Sequence, residues 1–278
     1  MQIATGGTVF FDSGVGGLTV LNACVRTSKE TIFYYYGDNE HAPYGNLSGA
    51  QVFARTRSAF DLFHVLQPSA VVIACNTATA HCVSALRKIY PFPIIGAEPA
   101  LLPACACGGR VLVLATVATC KSEKFIRLCR LAKEKYPAAE IVIHPCPQLA
   151  GVIEGGGIFH DFDLSIHIPT MQVSSVVLGC THYIYIKERI KSWYNCQVFD
   201  GNLGISTRLS TVFAQGKEGD LSTKKGGFIH IDEKSRDKQP LFSTANLFCE
   251  KEKKIYFLGP FAHKNRTFYE QTFAIPGK

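Results

Sequence analysis

The sequence predicts an α/β protein of two similar doubly wound lobes with mostly parallel sheets, and three observations carry that expectation. Short β-rich apolar runs alternate with segments of helical period, the rhythm of parallel strands joined by crossover helices. Val71-Val72-Ile73-Ala74-Cys75-Asn76-Thr77 can be laid over Val176-Val177-Leu178-Gly179-Cys180-Thr181-His182, so that Cys180 stands 105 residues after Cys75. At an offset of 104, Val9-Phe10-Phe11-Asp12-Ser13 falls on Val113-Leu114-Ala115-Thr116-Val117, and two strand-turn-helix units therefore recur in order.

In chain order, the run Thr8–Phe11 reads as a strand followed by a helix from about Gly16, and Thr31–Tyr36 as the next strand. A helical pattern from about Gly49 to Leu66 precedes the strand Ala70–Ala74, and a helix follows over Thr77–Ile89. The rhythm resumes with strand Arg110–Ala115, a helix from about Ser122 to Lys135, the runs Glu140–Ile143 and Ser174–Leu178, and a helix from about Tyr183 to Tyr194. In parallel sheets ligands bind beyond the carboxyl ends of the strands, which is where Asp12, Cys75 and Cys180 are expected.

Composition narrows the function classes. At 278 residues with 47% hydrophobic and 18% charged side chains, the chain can bury a real core and is not a disordered polymer. No apolar run approaches the roughly 20 residues of a membrane span, and Met1–Gly7 carries no basic residue of an export signal. A cytoplasmic location with no membrane partner is expected. The 11 cysteines are odd in number, and Cys24, Cys82 and Cys129 sit in apolar helical patterns, which favours reduced thiols. The net charge of +7 includes 12 Lys+Arg against 8 Asp+Glu over residues 217–278, interspersed as on a solvated surface, so no nucleic-acid partner is expected. Lys224-Lys225-Gly226-Gly227 reads as an exposed loop.

Cys75 and Cys180 carry the sharpest chemical signal. Each follows a buried-strand pattern and opens a helix, where amides and the helix dipole are expected to favour thiolate. A single such cysteine is more often packing, but two at equivalent positions of a duplication argue for function. A thiol hydrolase using Cys180 with His182 would leave Cys75 unexplained. If an approximate twofold axis relates the lobes, the thiols face a substrate from opposite sides, one removing a proton as the other donates one. That inverts a stereocentre without a cofactor.

Asp12-Ser13-Gly14-Val15-Gly16-Gly17-Leu18-Thr19 mimics a dinucleotide fingerprint but lacks its third glycine, and Asp12 sets a carboxylate where a pyrophosphate would lie, so nicotinamide binding is not expected. The same turn offers Ser13 and backbone N–H groups to a substrate carboxylate, while Asp12 could cap the helix, accept from an amino group or orient Cys75. Pro43-Tyr44-Gly45 reads as a rigid loop able to close over a small ligand. Cys105 and Cys107 find no matching pair at metal-ligand spacing, so no metal is expected.

Phe11-Asp12-Ser13-Gly14-Val15-Gly16-Gly17-Leu18-Thr19-Val20, Tyr36-Gly37-Asp38 with Pro43-Tyr44-Gly45, Ala74-Cys75-Asn76-Thr77-Ala78 and Gly179-Cys180-Thr181-His182-Tyr183 resemble, in order and spacing over roughly residues 9–200, the glutamate racemases of the cofactor-independent aspartate/glutamate racemase superfamily. The resemblance implies two lobes, residues 1–98 with 207–278 and residues 99–206, related by pseudo-twofold symmetry with the active site between them. It implies that Cys75 acts on D-glutamate assisted by Asp12, and Cys180 on L-glutamate assisted by His182. Asp12, Ser13, Pro43, Tyr44, Gly45, Asn76, Thr77, Thr119, Thr181 and His182 match positions that hold substrate, and Glu154, which aligns with the first of two adjacent glutamates the family carries, is expected to assist catalysis. His41 stands in place of an arginine and Ile184 in place of a proline. The implied product, D-glutamate, feeds peptidoglycan synthesis. A homodimer is compatible with the resemblance, and no activator-dependent regulation of the kind linked to a long N-terminal extension is expected. Beyond about residue 215 the likeness fades. A racemase of aspartate or a related carboxylate, or a binding protein of the same fold that has lost catalysis, are the alternatives; a binding pocket has no need of two thiols.

Overall fold

A computed structural model describes residues 2–160, 162–216, 228–230, 246–250 and 252–273; Lys224–Gly227, expected as an exposed loop, lies outside the described residues. The elements follow the expected rhythm: β1 (Gln2–Ala4), β2 (Thr8–Asp12), α1 (Leu18–Thr27), β3 (Ile32–Gly37), α2 (Gly49–Phe63), β4 (Ala70–Ile73), α3 (Asn76–Ile89) and β5 (Ile94–Gly96). There follow α4 (Leu101–Ala106), β6 (Arg110–Ala115), α5 (Val117–Lys121), α6 (Glu123–Lys135), β7 (Glu140–Pro145), α7 (Leu149–Glu154), β8 (Ser175–Gly179), α8 (Lys187–Tyr194), β9 (Gln197–Phe199) and α9 (Asn202–Gly216). Beyond these lie β10 (Phe228–His230), β11 (Asn246–Glu250), β12 (Lys253–Leu258) and α10 (Ala262–Phe273).

The strands assemble into two main sheets, ordered β11-β12-β3-β2-β4-β5 and β7-β6-β8-β9. All their pairings are parallel except β11 with β12. The segments β3-β2-β4-β5 and β7-β6-β8-β9 share one order and one direction, so the repeat read from the sequence is a repeat of topology. A small antiparallel pair, β1 with β10, stands apart.

Why the strand runs are apolar at nearly every position follows from the layers. Val9 and Phe11 of β2 enter a core with α2 and α3, while Phe10 enters one with α1, α9 and α10. The second sheet repeats this, with Leu112 and Leu114 packed on the α7 side and Val111 and Val113 on the α4 and α6 side. A strand covered on both faces has no solvent side and so no polar alternation.

One local expectation needs correction. The segment from Tyr183 is not α-helical from its start: Thr181–Ile186 is a 3-10 turn, and the α-helix begins at Lys187. The C-terminal segment, where family likeness faded, completes the first sheet. Tyr256 of β12 pairs in register with Tyr34 of β3, and their rings stack at 5.2 Å.

Candidate active site

In each sheet the strand order reverses at the first strand of the repeat, β2 between β3 and β4, and β6 between β7 and β8. Crevices open beyond the carboxyl ends of strands at such points. Asp12 ends β2 and Cys75 follows β4; Thr116 follows β6 and Cys180 follows β8. The two sheets turn these ends toward each other. Thr181 Oγ1 donates to Asp12 Oδ2 at 3.2 Å, Val15 N–H donates to Glu154 Oε2 at 2.8 Å, and the Thr77 and Thr116 hydroxyls meet at 2.9 Å.

Cys75 is the N-cap of α3 and accepts the Ala78 N–H at 3.4 Å, with its Sγ 3.7 Å from Ser13 Oγ. The expectation that the helix terminus lowers this thiol is not met. Burial and the nearby Asp12 charge push Cys75 well above the ordinary thiol range, outweighing the Ala78 and Ser13 contacts that favour thiolate. A dipole effect is confined to the first turn and is smaller than the cost of moving a thiolate out of water. Cys180 caps only the 3-10 turn, and its Sγ lies 3.7 Å from His182 Nδ1. The thiols are 6% and 7% exposed and are close enough for their charges to interact.

Asp12 is fully buried and accepts the Gly14 N–H at 3.0 Å. Burial raises its pKa to about 6 and the Glu154 charge adds to this, against His182 and the Gly14 and Thr181 hydrogen bonds. Its carboxylate bonds to Thr181 and not to Cys75, so its effect on that thiol is through space.

His182 bridges Cys180 and Glu154, with Nε2 2.8 Å from Glu154 Oε2. Burial disfavours the imidazolium, but the hydrogen bonds and charges of Cys180 and Glu154 prevail and raise the pKa well above the usual histidine range. Burial likewise opposes the Glu154 carboxylate, yet His182, Val15 and Asn39 hold it ionised with a lowered pKa. The result is a buried ion pair aimed at one thiol.

Thr77, Thr116 and Thr119 join three hydroxyls within 3.2 Å of one another across the lobes. Asn76 leaves its buried Oδ1 without a hydrogen-bond partner among the described residues. Gly45 packs on Thr116, and Tyr44 donates to Asp38 Oδ2 at 2.6 Å, following Pro43 in a 3-10 turn of residues Tyr44–Asn46. His41 Nδ1 stands 2.8 Å from Asp38 Oδ1, on the same carboxylate that holds Tyr44.

Several side chains at this centre escaped sequence reasoning. Asn39 donates to Glu154 Oε1 at 2.8 Å, and Lys264 reaches the same oxygen at 3.3 Å. Tyr35 donates to the Gly14 carbonyl and Tyr185 to the Val15 carbonyl, pinning the glycine turn from both lobes. Cys146 lies near enough to Cys180 for their charges to interact. No periodicity marks such residues, because each is brought in by a different element.

Fold and site together define an α/β protein that brings two buried thiols, each with a carboxylate nearby, to the strand ends of its two sheets. A family model described as Asp/Glu/Hydantoin racemase matches residues 42–203. The glutamate racemase of Clostridium botulinum strain Hall is 37% identical over 251 residues, covering 86% of this chain and 95% of that protein. The chain belongs to the Asp/Glu/hydantoin racemase family, and it is an isomerase of the amino-acid racemase kind. Among solved structures it is similar to Escherichia coli glutamate racemase in complex with L-glutamate and the activator UDP-MurNAc-Ala, at 25% identity and a TM-score of 0.67 over 76% of this chain and 83% of that one. The glutamate racemase isoform RacE1 of Bacillus anthracis matches at 27% identity and a TM-score of 0.64, over 78% of this chain and 84% of that one.

Proposed function

We propose that this protein interconverts L- and D-glutamate, with Cys180 and Cys75 as the two acid–base groups. The observation that carries the reading is the pair of buried thiols at matching strand ends of the two sheets, each with a different set of partners. The glutamate racemases to which the chain is similar support the choice of substrate.

From L-glutamate, the Cys180 thiolate takes the α-proton and becomes a thiol, leaving a carbanion delocalised into the α-carboxylate. The Cys75 thiol delivers its proton to the opposite face and becomes a thiolate. The return reaction exchanges the roles, and the resting protonation is restored through solvent. His182, held by Glu154, stabilises negative charge on Cys180; Asp12 acts on the Cys75 side. Ser13, Thr77 and Thr119 supply hydroxyl donors for carboxylate oxygens, Thr181 contacts substrate beside Asp12, and the open acceptor of Asn76 suits the substrate ammonium. Pro43, Tyr44 and Gly45 wall the substrate.

The same reading divides the chain into residues 1–98 with 207–278 and residues 99–206, places it in the cytoplasm, and gives D-glutamate for peptidoglycan synthesis as its role. The test is incubation of the purified protein with L-glutamate or L-aspartate and no cofactor, following optical rotation. Rotation of the glutamate sample should decay to zero; inversion of aspartate alone would overturn the substrate. In D2O, early D-glutamate should carry α-deuterium while unreacted L-glutamate stays protiated, since thiols fixed in separate lobes cannot trade places. Substantial protium in the first D-glutamate would sink the two-thiol mechanism.

A further inference from the structure

The C-terminal segment reaches the candidate site at Glu154. Both oxygens of this carboxylate are doubly used: Oε2 accepts Val15 N–H and faces His182 Nε2, and Oε1 accepts Asn39 Nδ2 and Lys264 Nζ. Asn39 is itself held by α10, because Asn265 Nδ2 donates to Asn39 Oδ1 at 2.9 Å. Asn265 is fully buried, while the Lys264 side chain is 47% exposed. The helix that carries both is anchored to the first sheet by Ala262, Phe268 and Tyr269, and Phe268 packs edge-on against Tyr185 at 5.3 Å.

A carboxylate that orients an imidazole does so only while ionised and in one rotamer. Donors on Oε1 secure both conditions, because they favour the charged form and prevent rotation of the carboxylate away from Nε2. We propose that Asn39, Asn265 and Lys264 are positioning residues for the Cys180 half of the reaction, so that α10 sets the competence of one of the two proton transfers. This rests on the two-thiol reading above, with Cys180 as the group facing the α-hydrogen of the L-enantiomer.

The test exploits the symmetry of the reaction. Enantiomers are equal in free energy, so any variant lowers kcat/KM equally in both directions, and that loss alone is uninformative. The substrate isotope effects are not so tied. In Lys264→Ala and Asn39→Ala, kcat/KM should fall about tenfold, the scale of one lost hydrogen bond to a charged group. The primary effect on kcat/KM with α-deuterated L-glutamate should rise, because transfer to Cys180 becomes more rate-limiting. With α-deuterated D-glutamate it should fall, because transfer to Cys75 becomes less so. Lys264→Arg should restore both effects. Asn265→Ala removes a buried side chain, so Lys264→Ala and Asn39→Ala carry the test if that variant does not fold. Unchanged kcat/KM in both, or a loss with both isotope effects unmoved, overturns the inference. Failure of the underlying reading is seen separately, as retained protium in the first D-glutamate made by the unmodified protein in D2O.

Discussion

Asp12, in the role proposed for it, would serve chemistry at the expense of stability. Its folded pKa of about 6 lies above the ordinary 3.8, so the folded state binds this proton more tightly than the unfolded chain does. The penalty for ionising it is absent below about pH 4, grows as pH rises to about 6, and is complete above that, at about 3 kcal/mol. Asp12→Asn keeps an acceptor for Gly14 N–H and a partner for Thr181, so at pH near 8 its melting temperature should equal or exceed that of the unmodified protein. The difference should shrink toward pH 4, as thermal melts across that range will show, while racemisation falls roughly tenfold to a hundredfold. Melting well below the unmodified protein at pH near 8 would contradict the burial argument. Cys75→Ala and Cys180→Ala should each abolish racemisation and leave circular dichroism intact, since neither thiol can serve both faces. Near-normal turnover in either would return that cysteine to a packing role.

At the scale of elements, the turn between β2 and α1 works because it has no side chains where the lobes meet. A Cβ on Gly14 would stand 2.2 Å from Glu154 Oε2, and one on Gly16 would stand 2.4 Å from Thr181 Oγ1 and 2.9 Å from the His182 backbone nitrogen. The glycines that resemble a dinucleotide fingerprint therefore admit the opposite lobe. Gly16→Ala should lower stability by roughly 1–3 kcal/mol, as overpacking does, and lower turnover by more than the stability loss explains. Gly204→Ala in α9 is the matched comparison, because nothing lies within 4 Å of its Cβ; it should raise stability by about 0.5–1 kcal/mol. Denaturant unfolding and initial rates on the two variants check both. The 3-10 turn over Thr181–Ile186 has a related logic, holding Thr181 against Asp12 and His182 against Cys180 and Glu154.

The whole molecule closes over its chemistry. Much of the contact between the lobes at the site is polar: Thr181 with Asp12, Val15 and Asn39 with Glu154, Thr77 with Thr116, and at the edge Lys124 with Glu98 at 2.8 Å. Interfaces of this kind permit the lobes to part, and on the reading proposed above substrate must enter a site whose thiols are almost fully covered. Alkylation should therefore follow exposure: Cys107 and Cys249, both exposed, react first, while Cys75 and Cys180 react slowly and more slowly still with glutamate present. Peptide mass spectrometry after timed iodoacetamide treatment reads this directly. Equal rates at buried and exposed thiols would mean that the site stands open in solution. Among the described residues no helix is long and apolar enough to cross a membrane.

The sequence alone determined the α/β class, the repeated strand-turn-helix unit, and the placing of Asp12, Cys75 and Cys180 at strand ends. These are legible because strands buried on both faces leave contiguous apolar runs, and because crossover helices sit between them in the chain. The short strands Ile94–Gly96 and Gln197–Phe199 left no such mark, and Lys253–Leu258 belongs to the first sheet only through its pairing with β3. Tertiary structure alone decided the electrostatics. It raised the Cys75 thiol where local position at a helix terminus favours a lower value, and it tied His182 to Glu154 and Glu154 to Lys264. Helix propensity and hydrophobic period act over a few residues, whereas desolvation and ion pairing depend on which distant segments close over a group, and closure of the two lobes is what brings those segments together.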